Sequence, residues 1–206
     1  MANFEHEYKT TPLISKSGYN ATGGDESWRS ISRNEHPSWV EGWQLIDRKR
    51  KEPNFPANLK SDEHLEFLVR KFWKEHYWDR YRLDDWPSQT LAGEIFRSGI
   101  RLGRRNTIRF LQRSLNVLNK QETLWEDVKV DGVYGDKTHQ GVLTYFVNLP
   151  ETRWNTLYFC LIALEGEKYI TTAELDPEKQ DYIYIWIDHI FKSLHNNCHV
   201  LTHGEH

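Results

Sequence analysis

The chain has 206 residues, 38% hydrophobic and 28% charged, and it carries nine Trp, ten Tyr and nine Phe. Length and composition exclude a chain that is mostly disordered, and one that must rely on a disulfide or metal staple to hold a core. A formal net charge of -3 excludes a globally basic surface, so no nucleic-acid partner is expected and any anion binding must be local.

The first residues, MANFEHEYKTTPLIS, show no basic start followed by an apolar run. This predicts cytoplasmic synthesis without a Sec signal, with any passage outward owed to another machine or to lysis. No stretch approaches the roughly 18 apolar residues of a membrane helix, so no membrane insertion is expected. Two cysteines, Cys160 in an apolar run and Cys198 in a polar tail, are expected as reduced thiols.

Residues 1–58 hold Pro12, Gly18, Gly23, Gly24, Pro37, Gly42, Pro53 and Pro56, a density that predicts a helix start followed by a long irregular loop and short elements. Loops of this length in a compact domain usually serve function. From Ser61 or Asp62, either of which can cap, one helix is predicted through EHLEFLVRKFWKEHYWDRY. DDWPS breaks it. QTLAGEIFRSGI is a second helix ending near Gly99 and Gly103. RNTIRFLQRSLNVLN is a third, with Ile108, Leu111, Leu115 and Leu118 on one stripe. LWEDVKVDGVYG reads as a loop with a short strand pair. A helix over KTHQGVLTYFVN is stopped by Pro150, and two longer ones follow, over RWNTLYFCLIALEGEKYITTAE and EKQDYIYIWIDHIFKSLHNN. YIYIWI has strand-like composition, but Tyr182, Ile183, Trp186, Ile187, Ile190 and Leu194 share a helical face. The expected fold class is mainly α.

Several segments in order carry a resemblance: MANFEHEYK at the start, SISR at 30–33, HPSWVEGWQLID at 36–47, FWKEHYWDRYRLDDW at 72–86, LQRSLNVL at 111–118 and DGVYGDKT at 131–138. Together with Trp186 in IWIDHI they resemble the glycoside hydrolase family 108 muramidases over nearly the whole chain. The resemblance implies a lysozyme-like helical domain over residues 1–105 and a small helical peptidoglycan-binding-like module over 106–206. RNTIRFLQRSL leads from one into the other without a linker, which predicts that the two pack as one unit.

Glycoside cleavage needs a carboxylic acid to protonate the leaving oxygen and a second group to orient water or support the oxocarbenium-like state. Such proton transfer is worth roughly 10² to 10⁴ in rate. In the family, the acid is the Glu of EGGY, helped by a later Asp and by the Thr of GGxT. Laid on this chain, EGGY falls on KSGY, with Lys16 at the acid; the helper Asp falls on Thr22 and the threonine on Ser27. An ammonium of ordinary pKa about 10.4 cannot replace a neutral carboxylic acid, and it repels a developing cation. The family's FDxxVNxG reads FRSGIRLG here, placing Arg97 and Arg101 where polar groove residues are expected and predicting a groove of reversed sign.

If the loop folds differently, Glu26 is the fallback acid and Asp25 the next. Glu5 and Glu7 lie on the first helix and are expected on a solvated face. Arg97, Arg101, Arg104 and Arg105 form a basic cluster, read either as a solvated helix end favoured by the C-terminal dipole or as an interface for an acidic partner. Asp131 and Thr138 belong to a turn feeding a helix N-terminus, a folding motif first and a ligand site second. Trp39, Trp43 and Trp78 are expected to pack the core rather than stack on sugars. His195, Cys198, His199, His203 and His206 have a spacing a metal could use, but read as a frayed tail; no metal or cofactor is expected. The function expected from the resemblance is a catalytically degenerate muramidase-like protein. It would be a structural or binding part of a cell-wall-facing assembly such as a phage tail, contractile injection or type VI-like machine, with protein partners or peptidoglycan as its ligands. The alternative is an active N-acetylmuramidase, an endolysin or secreted effector.

Overall fold

The computed structural model describes residues 1–198. The chain is mainly α, and it divides into two compact units at the Gly103–Arg104 bond.

In the first unit, α1 (Phe4–Thr10) starts at Asn3, whose side chain accepts the His6 N–H, and α2 (Pro12–Ser15) follows one residue later. Three two-residue strands, β1 (Tyr19–Asn20), β2 (Ser27–Trp28) and β3 (Ile31–Ser32), form an antiparallel sheet in sequence order, with Tyr19 opposite Trp28 and Ser27 opposite Ser32. Then come α3 (Val40–Lys49), α4 (Glu63–Trp73) and α5 (Gln89–Leu102). Asp62 caps α4 by accepting the Leu65 N–H, and Ser88 caps α5 by accepting the Leu91 N–H.

The single helix expected over 63–81 is interrupted. After Trp73 the chain widens into a π-helix, Lys74–Trp78, and then tightens into a 3₁₀ turn, Asp79–Tyr81. Residues five apart diverge by about 140° on an α-helix but lie close on a π turn. The widening therefore lets the pairs Phe72–Trp73 and Tyr77–Trp78, all buried, serve one core. At its centre the Phe96 ring meets Phe4, Trp73, Tyr77 and Trp78 edge-on, at centroid distances of 5.8 to 6.4 Å.

A buried charge network locks α1 to α5. Glu94 is fully buried, with its oxygens 3.0 Å from Arg97 Nη2 and 2.6 Å from Arg101 Nη2. The other nitrogen of Arg97 donates to Glu7, which also accepts from Thr11 Oγ1 at 3.0 Å and Gln89 Nε2 at 3.2 Å. Glu7 is thus buried, not on the solvated face expected for it; Glu5 is on that face and pairs with Arg70. Gly93 makes the approach possible, since a Cβ there would lie 2.3 Å from Glu7 Oε2.

In the second unit, α6 (Arg104–Leu118), α7 (Asp136–Asn148) and α8 (Trp154–Leu175) are followed by a 3₁₀ turn at Pro177–Tyr182 and by α9 (Ile183–Cys198). Trp186 stacks between Tyr169, at 5.1 Å, and Tyr182, at 6.0 Å. The predicted face of α9 is in place but half-buried, with Tyr182 exposed.

The strand pair expected in 124–135 does not form, because side chains of α6 take the place of a partner strand. Asn116 donates to the Val128 carbonyl at 2.8 Å and accepts the Val128 N–H at 2.9 Å, and Asn119 donates to Asp127 at 2.6 Å. Gln112, buried, donates to Asp131 Oδ1, the Val133 carbonyl and Thr138 Oγ1 at 3.0 to 3.1 Å, and accepts the Gly132 N–H at 2.9 Å.

Glu94→Ala removes the buried carboxylate that Arg97 and Arg101 share and leaves Arg97 with Glu7 alone, so denaturant unfolding of the first unit should show a loss of about 3 to 5 kcal/mol. Burial alone would raise the Glu94 carboxyl, but the adjacent Arg97 and Arg101 hold it down at about 2. Its folded pKa is depressed, so this stabilisation is complete above the ordinary carboxylate range and disappears as pH falls through about 2; unfolding free energy measured against pH should fall across that window.

Candidate functional site

The loop that carries the expected catalytic positions is anchored at both ends. β2 and β3 are joined by the two-residue turn Arg29–Ser30, at φ +50° and +63°, a left-handed pair that suits hairpin twist but is uncommon outside Gly, Asn and Asp. Its side chains repay the strain by capping α2. Arg29 Nη1 donates to the carbonyls of Ile14 at 3.0 Å and Ser15 at 2.9 Å, and Ser30 Oγ donates to that of Leu13. The backbone at residue 16 is therefore held firmly. The side chain there is Lys16, exposed and without an ion pair among the described residues.

The fallback acids are engaged elsewhere. Glu26 has one oxygen 2.7 Å from Arg33 Nε, and the other accepts from Arg50. Arg33 also forks onto Asp47 at 2.8 and 3.2 Å and lies 4.6 Å above the Trp43 ring. SISR and WVEGWQLID, two segments that carry the resemblance, thus meet through Arg33. Tyr19 joins this cluster, its hydroxyl raised by burial and by its hydrogen bond to Glu26. Asp25 accepts from Ser32 Oγ at 2.6 Å and the Asn34 N–H at 3.2 Å; the Ser32 bond holds its carboxyl below the ordinary value. A general acid must turn a protonated oxygen toward its substrate. Glu26 has both oxygens occupied by guanidiniums, and Asp25 is a turn acceptor favoured as an anion.

Thr22 and Ser27 have structural surroundings too. The Thr22 N–H and hydroxyl both donate to Asn20 Oδ1, at 3.1 and 2.9 Å, and Ser27 lies opposite Asn20 on β2. Arg97 and Arg101 do not form a free cationic groove, because their guanidiniums meet Glu7 and Glu94 as described. Nor is Arg97 to Arg105 a single helix end. Arg104 and Arg105 open α6, at the helix end where the dipole disfavours cations. Asp131 and Thr138 hold the turn before α7 through Gln112.

Trp28, Trp39, Trp43, Trp73, Trp78 and Trp86 are all buried. Among the described residues no three or more His, Cys, Asp or Glu side chains are placed to hold a metal. His195 and Cys198 fall in the last turns of α9, while His199, His203 and His206 lie outside the described residues. Cys160 is a free thiol, half-buried and raised by burial.

One concavity escaped the sequence reading. A cleft of about 210 Å³ in the first unit lies between the start of α3 and the π-helix, with Trp39 and Phe72 at its base and Glu41, Lys71, Glu75 and His76 around it. Gly42 admits the Trp39 ring, since a Cβ there would fall 2.3 Å from it. The π turn that shapes the cleft leaves no mark in the hydrophobic period, so the pattern alone predicts unbroken helix there.

Scanned against protein-family models the chain matches none, and a search of the curated proteins finds no match.

Glu26→Ala should lower stability by about 1 to 2 kcal/mol through loss of charge-assisted bonds. Lys16→Ala should stay within about 0.5 kcal/mol of wild type, as expected of an exposed side chain without a partner. Paired urea titrations would compare them, and a larger loss at Lys16 than at Glu26 would contradict the contact pattern described here.

Proposed function

We propose that this chain is a catalytically retired muramidase-like protein that serves as a binding or structural component of a cell-wall-facing assembly. One observation carries the reading: the position that the resemblance gives to the acid is an exposed lysine on a firmly held backbone, while both oxygens of the best replacement, Glu26, are occupied by Arg33 and Arg50. Removing an acid costs two to four orders of magnitude in rate, and a cation in its place opposes the charge that develops. The loop is nonetheless well braced, with Arg33 and Arg29 each making several contacts that keep it in shape.

A braced loop without an available acid suits recognition. The aromatic-based cleft beside the π-helix is large enough for a small ring or side chain, and carboxylates, a lysine and a histidine lie at its edge. No helix among the described residues is long and apolar enough to cross a membrane. The partners proposed are proteins of a larger machine or cell-wall glycans, as the resemblance implies.

The reading predicts that the protein fractionates with a large complex when lysates of its native cell are separated by size, or sediments with purified sacculi. A pool that is strictly monomeric and stays in the supernatant with sacculi would overturn it.

A further inference from the structure

Between Arg97 and Gln121 the sequence contains no Asp or Glu, in a protein whose net charge is -3. Arg97 and Arg101 are neutralised by Glu7 and Glu94. What remains is α6, where Arg105, Arg109 and Arg113 are all exposed, and none makes an ion pair among the described residues. Spaced four residues apart, they rise about 6 Å at a time and form a gently turning line about 12 Å long.

This arrangement runs against local helix physics. Like charges at i and i+4 repel, and cations in the first turn face the positive end of the helix dipole. No acid on α6 relieves either effect. An opposite charge supplied by a partner would relieve both effects at once. The line is also partly held in advance. Gly132, at φ +78°, brings the Asp131–Gly135 turn against it so closely that a Cβ would lie 2.6 Å from Arg105 Cγ and 3.0 Å from Arg109 Cγ. Pinned stems lose less freedom when the guanidiniums bind. Lys129, in the same loop, is paired with Asp131 at 4.0 Å, so the arginines alone carry the line.

We propose that this face of α6 is the docking surface for an acidic helical segment of a partner protein, with carboxylates repeating every four residues in register with Arg105, Arg109 and Arg113. The guanidinium fork matches carboxylate geometry, and a facing helix reproduces the spacing. Single-stranded nucleic acid would call for aromatics interleaved with the cations, yet Phe110, the aromatic of α6, is buried. A lipid surface would call for apolar anchors beside the basic line, and Val117 is the one large apolar side chain of α6 that is strongly exposed. The assignment deepens the proposed binding role by naming its partner's chemistry, and its test is blind to glycan cleavage, so either can fail alone.

The experiment is fluorescence anisotropy of a labelled helical peptide bearing Glu at i, i+4 and i+8, titrated with the full-length protein. Its Gln counterpart, a single-stranded oligonucleotide and vesicles rich in phosphatidylserine serve as competing probes. Binding of the Glu peptide is expected to weaken at least tenfold in the Arg105→Gln, Arg109→Gln, Arg113→Gln variant, to weaken with salt, and to weaken in part when the three arginines become lysine. The glutamine variant should fold as the wild type does and unfold at an equal or higher temperature, since repulsion has been removed. Equal peptide affinity in wild type and variant, equal binding of the Gln peptide, or tighter binding of the oligonucleotide or vesicles would each overturn the proposal.

Discussion

A charge taken out of water must meet an opposite charge or a full set of hydrogen bonds, and the pairing of Glu94 with Arg97 and Arg101 is the strictest instance in this molecule. That single requirement fixes the seating of α1 on α5, because Glu7 completes the coordination of Arg97 and Gly93 leaves room for it. The same rule operates at the loop, where Arg33 gathers Glu26 and Asp47 over the Trp43 ring. In both places the ionisable residues that seemed available for chemistry are absorbed by architecture. Two unpaired sites among the described residues are informative for that reason, Lys16 on its capped backbone and the arginine line on α6.

The helices were legible in the sequence wherever a hydrophobic period and a cap agreed, as at Asp62 before α4 and at Gly103 after α5. The failures have physical causes. The π-helix at Lys74–Trp78 arises from the need to bury Phe72–Trp73 and Tyr77–Trp78 together, a tertiary demand that propensity does not encode. The short strand pair expected within the loop over 124–135 is absent because Gln112, Asn116 and Asn119 of α6 satisfy its backbone, and polar side chains at such spacing on a helix look like an ordinary solvated edge.

The candidate site was legible by position and not by partnership. Asp25, Glu26, Arg97 and Arg101 are all polar groups that a sequence offers equally to solvent, substrate or each other, and only three-dimensional contacts decide among these. SWRSISR holds the device that shapes the loop, yet nothing in its composition marks Arg29, Ser30 and Arg33 as the residues that brace it. The basic cluster spans two environments: Arg97 and Arg101 face inward to carboxylates, and Arg105 shares an exposed face with Arg109 and Arg113.

In the proposed reading the loop offers no usable acid, since Glu26 and Asp25 are both engaged by neighbours. The most direct test of that reading is the release of new reducing ends from purified peptidoglycan sacculi by the wild-type, full-length protein, compared with the same preparation after heat denaturation. The account predicts no release above that control at any pH at which the protein stays folded. Release by the native protein would contradict it, and would mean that a carboxylate assigned here to architecture leaves its partners to do chemistry.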